Sequence, residues 1–80
     1  MTDDPAAIRH AIAANVRAER ARSRMSQQAV ADAMQQRGFA YWHQQTTGAT
    51  ERGERRVTAD ELTVLAEVLG TAPETLWRVP

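Results

Sequence analysis

The sequence predicts an all-α fold. Three observations lead there: apolar residues recur at three- and four-residue spacing, helix-capping residues bracket those stretches, and no segment sustains the period-two alternation of a half-buried strand. The 80 residues make one domain, 1–80, because a chain this short buries too small a share of its unfolded surface to support two cores.

The first helix is announced by Asp4 as an N-cap and Pro5 in the first turn, after which Ile8, Ile12 and Val16 recur every four residues. It is predicted over about Pro5 to Ser23. In "RMSQQAVADAMQQRG", Ser26 is the N-cap, Val30 and Met34 form an apolar pair, and Gly38 is the stop. This predicts a second helix over about Gln27 to Arg37, with Ala29, Ala31 and Ala33 leaving a low face that another helix can cross closely. "VTADELTVLAEVLG" pairs Thr58 with Glu61 in a capping box, lines Leu62, Leu65, Ala66 and Leu69 along one stripe and closes on Gly70. In "TAPETLW", Pro73 opens a short last helix anchored by Leu76 and Trp77.

Between the second of these helices and Thr58 lies "GFAYWHQQTTGATERGE", which local rules leave open. A glycine costs about 1 kcal/mol inside a helix and each threonine up to about 0.7, which favours a loop. Gly53 as a terminator and the compact spacing between two clear helices favour a helix instead.

"MSQQAVADAM" followed by "ERGERRVTADELTVLAEVLGTAPETL" resembles the Cro/repressor (XRE) helix-turn-helix family. Its usual pattern is Leu-Ser-Gln before helix two, Glu-x-Gly after the recognition helix and Leu-x-x-Leu-Ala-x-x-Leu-Gly in helix four. The resemblance covers about residues 12 to 77. It implies a compact five-helix, lambda-repressor-like domain with the helix-turn-helix at helices two and three. Counting back from Glu51, it makes His43, Gln44, Gln45 and Thr46 the first turn of the recognition helix, entering the major groove, with Gly48 and Ala49 on the groove-facing side one turn later. The base contacts it implies are His43, Gln44, Gln45, Thr46 and Ala49. Glutamine suits that role independently, since its amide pairs bidentately with adenine.

The resemblance also implies DNA-backbone contacts at the start of helix two, from Ser26, Gln27 and Gln28, with Gln27 bracing Gln44. Arg37, Tyr41, Arg52, Arg55 and Arg56 are further backbone candidates, against the plainer reading of solvated charge or, for Tyr41, packing. Arg20 and Glu51 fall where the family places a structural ion pair. Leu76, Trp77 and Val79 either cap the core or form the seam of a homodimer, which on DNA sets recognition helices ~34 Å apart.

This sequence departs from the pattern twice. Ser26 and Glu51 stand about six residues further apart than usual, which places an insertion at about Gly38 to Trp42 and extends the turn. Thr47 and Thr50 occupy positions that normally bury aliphatic residues, so each hydroxyl needs a partner such as the carbonyl four residues back. Phe39 and Trp42 are candidates for the missing apolar volume.

Formal charge is zero, but its distribution is uneven. From Arg17 to Arg56 there are eight arginines (Arg17, Arg20, Arg22, Arg24, Arg37, Arg52, Arg55, Arg56) against four acids (Glu19, Asp32, Glu51, Glu54), a net of +4. All ten basic residues are arginine, whose planar fork suits phosphate and base edges; a GC-rich genome gives the same composition.

Other classes fit poorly. His10 and His43 are isolated and lack zinc-ligand spacing, so no metal or other cofactor is expected. "GATERGE" lacks the Lys-Ser/Thr ending of a phosphate loop, and Ser26 has no visible base, so no catalytic residue and no enzyme are expected. No cysteine, secretory leader or membrane-length apolar stretch is present, which points to a bacterial cytoplasm or nucleoid, in a bacterial or phage-encoded protein. The expected partner is double-stranded operator DNA, bound by a sequence-specific transcriptional regulator acting as a repressor, with no small-molecule ligand and no membrane partner. The alternative is a protein-binding module on the same fold, such as an antitoxin or a regulator docking on another protein, which the near-neutral total charge favours.

Overall fold

The computed structural model describes residues 4–79, which form five helices: α1 (Pro5–Arg22), α2 (Gln27–Gln36), α3 (Gln44–Glu51), α4 (Ala59–Leu69) and α5 (Pro73–Trp77). No strand occurs among the described residues. The undecided segment is therefore a helix, with its aromatic first third as the connection from α2.

Capping chemistry sets the boundaries. Asp4 Oδ1 accepts from the Ala6 N–H at 2.9 Å and Ser26 Oγ from Ala29 N–H at 3.0 Å, so each satisfies a donor that the first helical turn leaves unpaired. Thr58 Oγ1 accepts from Glu61 N–H while Glu61 Oε1 accepts from Thr58 N–H at 3.0 Å, the reciprocal box that starts α4. Gly70 ends it with φ +71°, a left-handed conformation that carries no Cβ penalty in glycine.

The apolar stripes meet in one core. Val16 of α1, Val30, Ala31 and Met34 of α2, Leu62, Leu65, Ala66 and Leu69 of α4 and Leu76 of α5 surround Trp42 from the α2–α3 connection. Ile12, Met25, Phe39, Val57, Val64 and Val68 pack around them half-buried. Two polar straps hold helix ends together around this core. Asn15 donates from Nδ2 to the carbonyls of Leu76 (3.0 Å) and Arg78 (3.1 Å), fixing α5 on α1, and Ser23 Oγ donates to the Leu69 carbonyl at 3.0 Å.

Candidate nucleic-acid interface

The orientation of α3 follows from what its two threonines bury. Thr47 and Thr50 are fully enclosed, as are Trp42 and the neighbouring core residues. Trp42 Nε1 donates to Thr47 Oγ1 at 2.9 Å, and that hydroxyl in turn donates to the Gln27 carbonyl at 3.2 Å. Thr50 Oγ1 donates to the Thr46 carbonyl four residues back at 2.8 Å. Trp42 thus supplies the apolar volume that an aliphatic residue would bring from α3 itself. It also satisfies the hydroxyl that replaced it, and a satisfied buried hydroxyl carries none of the desolvation penalty of an orphan.

With that side of α3 pinned inward, His43, Gln44 and Gln45 are exposed, and Thr46 and Ala49 are half-buried. His43 is the N-cap, and its own N–H donates to Thr46 Oγ1 at 3.1 Å. Gly48 corrects the expectation of an open groove-facing position: it is buried, and a Cβ there would lie 2.9 Å from Arg52 Nη1 and 3.6 Å from Gln27 Oε1. Its missing side chain admits Gln27 and Arg52.

The C-terminal end of α3 is held by a sheltered ion pair. Arg20 donates from Nε to Glu51 Oε2 at 2.5 Å and from Nη2 to Oε1 at 3.0 Å, a side-on fork, and its Nη1 donates to the Met25 carbonyl at 2.9 Å. Glu51 is 4% exposed and Arg20 20%. The hydrogen bond to Glu51 raises the Arg20 pKa above its ordinary value against the lowering effect of burial. Gln27 completes the knot by donating from Nε2 to Glu51 Oε1 at 3.2 Å, so its amide braces Glu51 and not Gln44 as expected.

A family model described as a helix-turn-helix domain matches residues 11–78. The chain belongs to the helix-turn-helix domain family. No curated protein and no solved structure matches it. Domains of this family bind DNA by laying a helix in the major groove, so DNA is the partner class of this one.

Several residues expected on the DNA backbone are already engaged inside the helix-turn-helix domain. Arg55 donates to Glu61 Oε2 at 3.0 Å and lies 4.9 Å over the Trp42 ring, so it clamps the core from outside. Tyr41 exposes its ring, but its hydroxyl donates to the same Glu61 carboxylate. Arg37 pairs with Glu67 of α4 at 2.9 Å and Arg52 with Glu54 at 3.0 Å. Arg37, Tyr41 and Arg55 each reach an acid of α4, and Arg52 reaches one two residues further along the chain. Gln28 donates to Asp32 at 2.8 Å on the exposed side of α2, beside the capping Ser26. Arg56 is exposed and has no hydrogen-bond or ion-pair partner among the described residues; it lines an open groove of about 300 Å³ with Arg9 and Val57.

Glu61 is the residue that sequence reasoning valued least. It appeared only as half of a capping box, yet it is buried and gathers Thr58, Arg55 and Tyr41. Burial pushes its carboxyl up, but the hydrogen bonds from Arg55, Tyr41 and the Thr58 N–H outweigh that and hold it below the usual value. The same contact pushes the Tyr41 hydroxyl up to about 12. The group joins the α2–α3 connection, the α3–α4 loop and the start of α4, and so fixes the frame around α3.

At the other end of the domain, Leu76 is buried in the core, which removes it from the dimer candidates. Trp77 and Val79 are 53% and 37% exposed. Among the described residues no helix is long and apolar enough to cross a membrane, and no group of three or more His, Cys, Asp or Glu could hold a metal ion.

Proposed function

We propose that this chain is a sequence-specific transcriptional regulator, a Cro-like repressor of bacterial or phage origin that occupies an operator as a homodimer. One observation carries the reading: the enclosure of Thr47 and Thr50, which turns Gln44 and Gln45 outward on the first turn of α3. Each glutamine then offers a donor and an acceptor to a base edge. His43, Thr46 and Ala49 flank them on the accessible side, Ser26, Gln27 and Gln28 stand at the start of α2, and of the four candidate arginines Arg56 is the one without an acid partner among the described residues. Exposed Trp77 and Val79 support pairing of two copies through the C-terminal end.

Substitution separates the two roles. Gln45→Ala is expected to lose about 1–3 kcal/mol on the preferred duplex and to relax the choice at one base pair, whereas Arg56→Ala weakens all sequences alike. Competition binding against single-base operator variants checks this, and an unchanged ranking for Gln45→Ala would place the glutamines off the base edges.

A second reading, a protein-docking module on the same fold, has its own support. Arg37, Arg52 and Arg55 are each paired with an acid, which leaves less cationic surface for phosphate than the sequence suggests.

A further inference from the structure

The connection before α3 contains a contact that fixes what His43 can offer. Gln35, near the end of α2, places Nε2 2.6 Å from the Trp42 carbonyl and 3.4 Å from Nδ1 of His43. A carbonyl oxygen only accepts, so the Gln35 atom facing it must be the amide nitrogen, which settles the amide orientation on chemical grounds. The second hydrogen of that nitrogen is left for His43 Nδ1, and because an amide nitrogen does not accept, the contact is a hydrogen bond in the tautomer whose Nδ1 is the accepting nitrogen. In the neutral imidazole the proton then resides on Nε2.

We propose that Gln35 is a positioning residue that holds His43 as a donor-only reader, with Nε2–H turned to the solvent side of α3. The proposal rests on the reading of α3 as the helix that enters the groove. A ring held this way has no acceptor to present, so it selects base edges that accept. Guanine, with O6 and N7 side by side, fits best; cytosine at the same place presents an amino donor and is rejected. The first turn of α3 then divides its work. Gln44 and Gln45 read edges that both donate and accept, and His43 reads one that accepts only. Gln35 reaches the DNA side solely through His43 and the Trp42 carbonyl, so its role differs from that of a contact residue.

Two measurements on the full chain test this. Two-bond ¹⁵N–¹H correlation spectra of the free protein should show His43 Nδ1 unprotonated and hydrogen-bonded. Gln35→Met should move that nitrogen toward the value of an imidazole in water, with the melting temperature recorded to show that the variant is folded. A proton on Nδ1 in the wild type overturns the proposal. In a duplex pool selected from random sequence by the wild type, one position should be guanine. That preference should vanish with His43→Ala, fall severalfold with Gln35→Met and survive Gln45→Ala, and 7-deazaguanine there should weaken binding at least about fivefold. Cytosine at that position, or a guanine preference indifferent to Gln35→Met, overturns the proposal. Preference at the Gln45 pair with none at the His43 pair overturns it alone, whereas no preference anywhere overturns the DNA reading as well.

Discussion

Trp42→Ala should remove about 3–5 kcal/mol of stability, the cost of emptying a fully enclosed aromatic site. For a chain of this size, whose total stability is on the order of 4–12 kcal/mol, that is enough to unfold much of the population. The loss goes beyond volume. Trp42 donates to Thr47, receives the Arg55 guanidinium over its ring and passes its carbonyl to Gln35. Trp42→Phe keeps most of the apolar body and gives up the indole N–H, so it should cost less than half as much. Urea unfolding of the two variants checks the order. Equal losses would mean that the hydrogen bond to Thr47, and not the packing, dominates the site.

Arg20→Ala should also cost about 3–5 kcal/mol, because it strands a carboxylate that is 4% exposed. Glu51→Ala should cost less, since the guanidinium it leaves behind is 20% exposed and keeps the Met25 carbonyl. The double variant should lose less than the two singles together, which is the signature of a coupled pair. Both singles will lower DNA binding in a crude assay through unfolding, so binding must be compared at equal folded fraction. If the two single losses simply add in the double variant, Arg20 and Glu51 are not the partners that hold the end of α3.

The helix frame was legible because its signals are local. Thr58 with Glu61 and Gly70 mark both ends of α4, and the predicted ends of α1 and α2 at Ser23 and Arg37 are the C-cap residues just past Arg22 and Gln36. Helix α3 was not legible in this way, since Gly48 and the threonines disfavour a helix and the contacts that stabilise it come from side chains outside it. Gln27 and Trp42 satisfy Thr47, Arg20 holds Glu51, and Gln27 with Arg52 covers Gly48. The resemblance supplied the register that propensity could not. The fate of the arginines was hidden for a related reason. Whether Arg37 or Arg55 is free depends on which carboxylate the fold brings across, Glu67 of α4 in one case and the buried Glu61 in the other. Leu76 and Trp77 are adjacent in sequence, and only the packing of α5 on α1 and α4 decides that the first is core and the second surface.

Equilibrium binding to duplex DNA taken from beside the chain's own gene and to random duplex, each at about 50 and 200 mM salt, separates a DNA partner from a protein partner. Affinity for the former should be at least about a hundredfold higher and should fall steeply with salt, as expected when arginine-neutralised phosphates release counterions. Equal affinity for both duplexes with a flat salt response would contradict the DNA reading and leave the outward face of α3 to a protein partner.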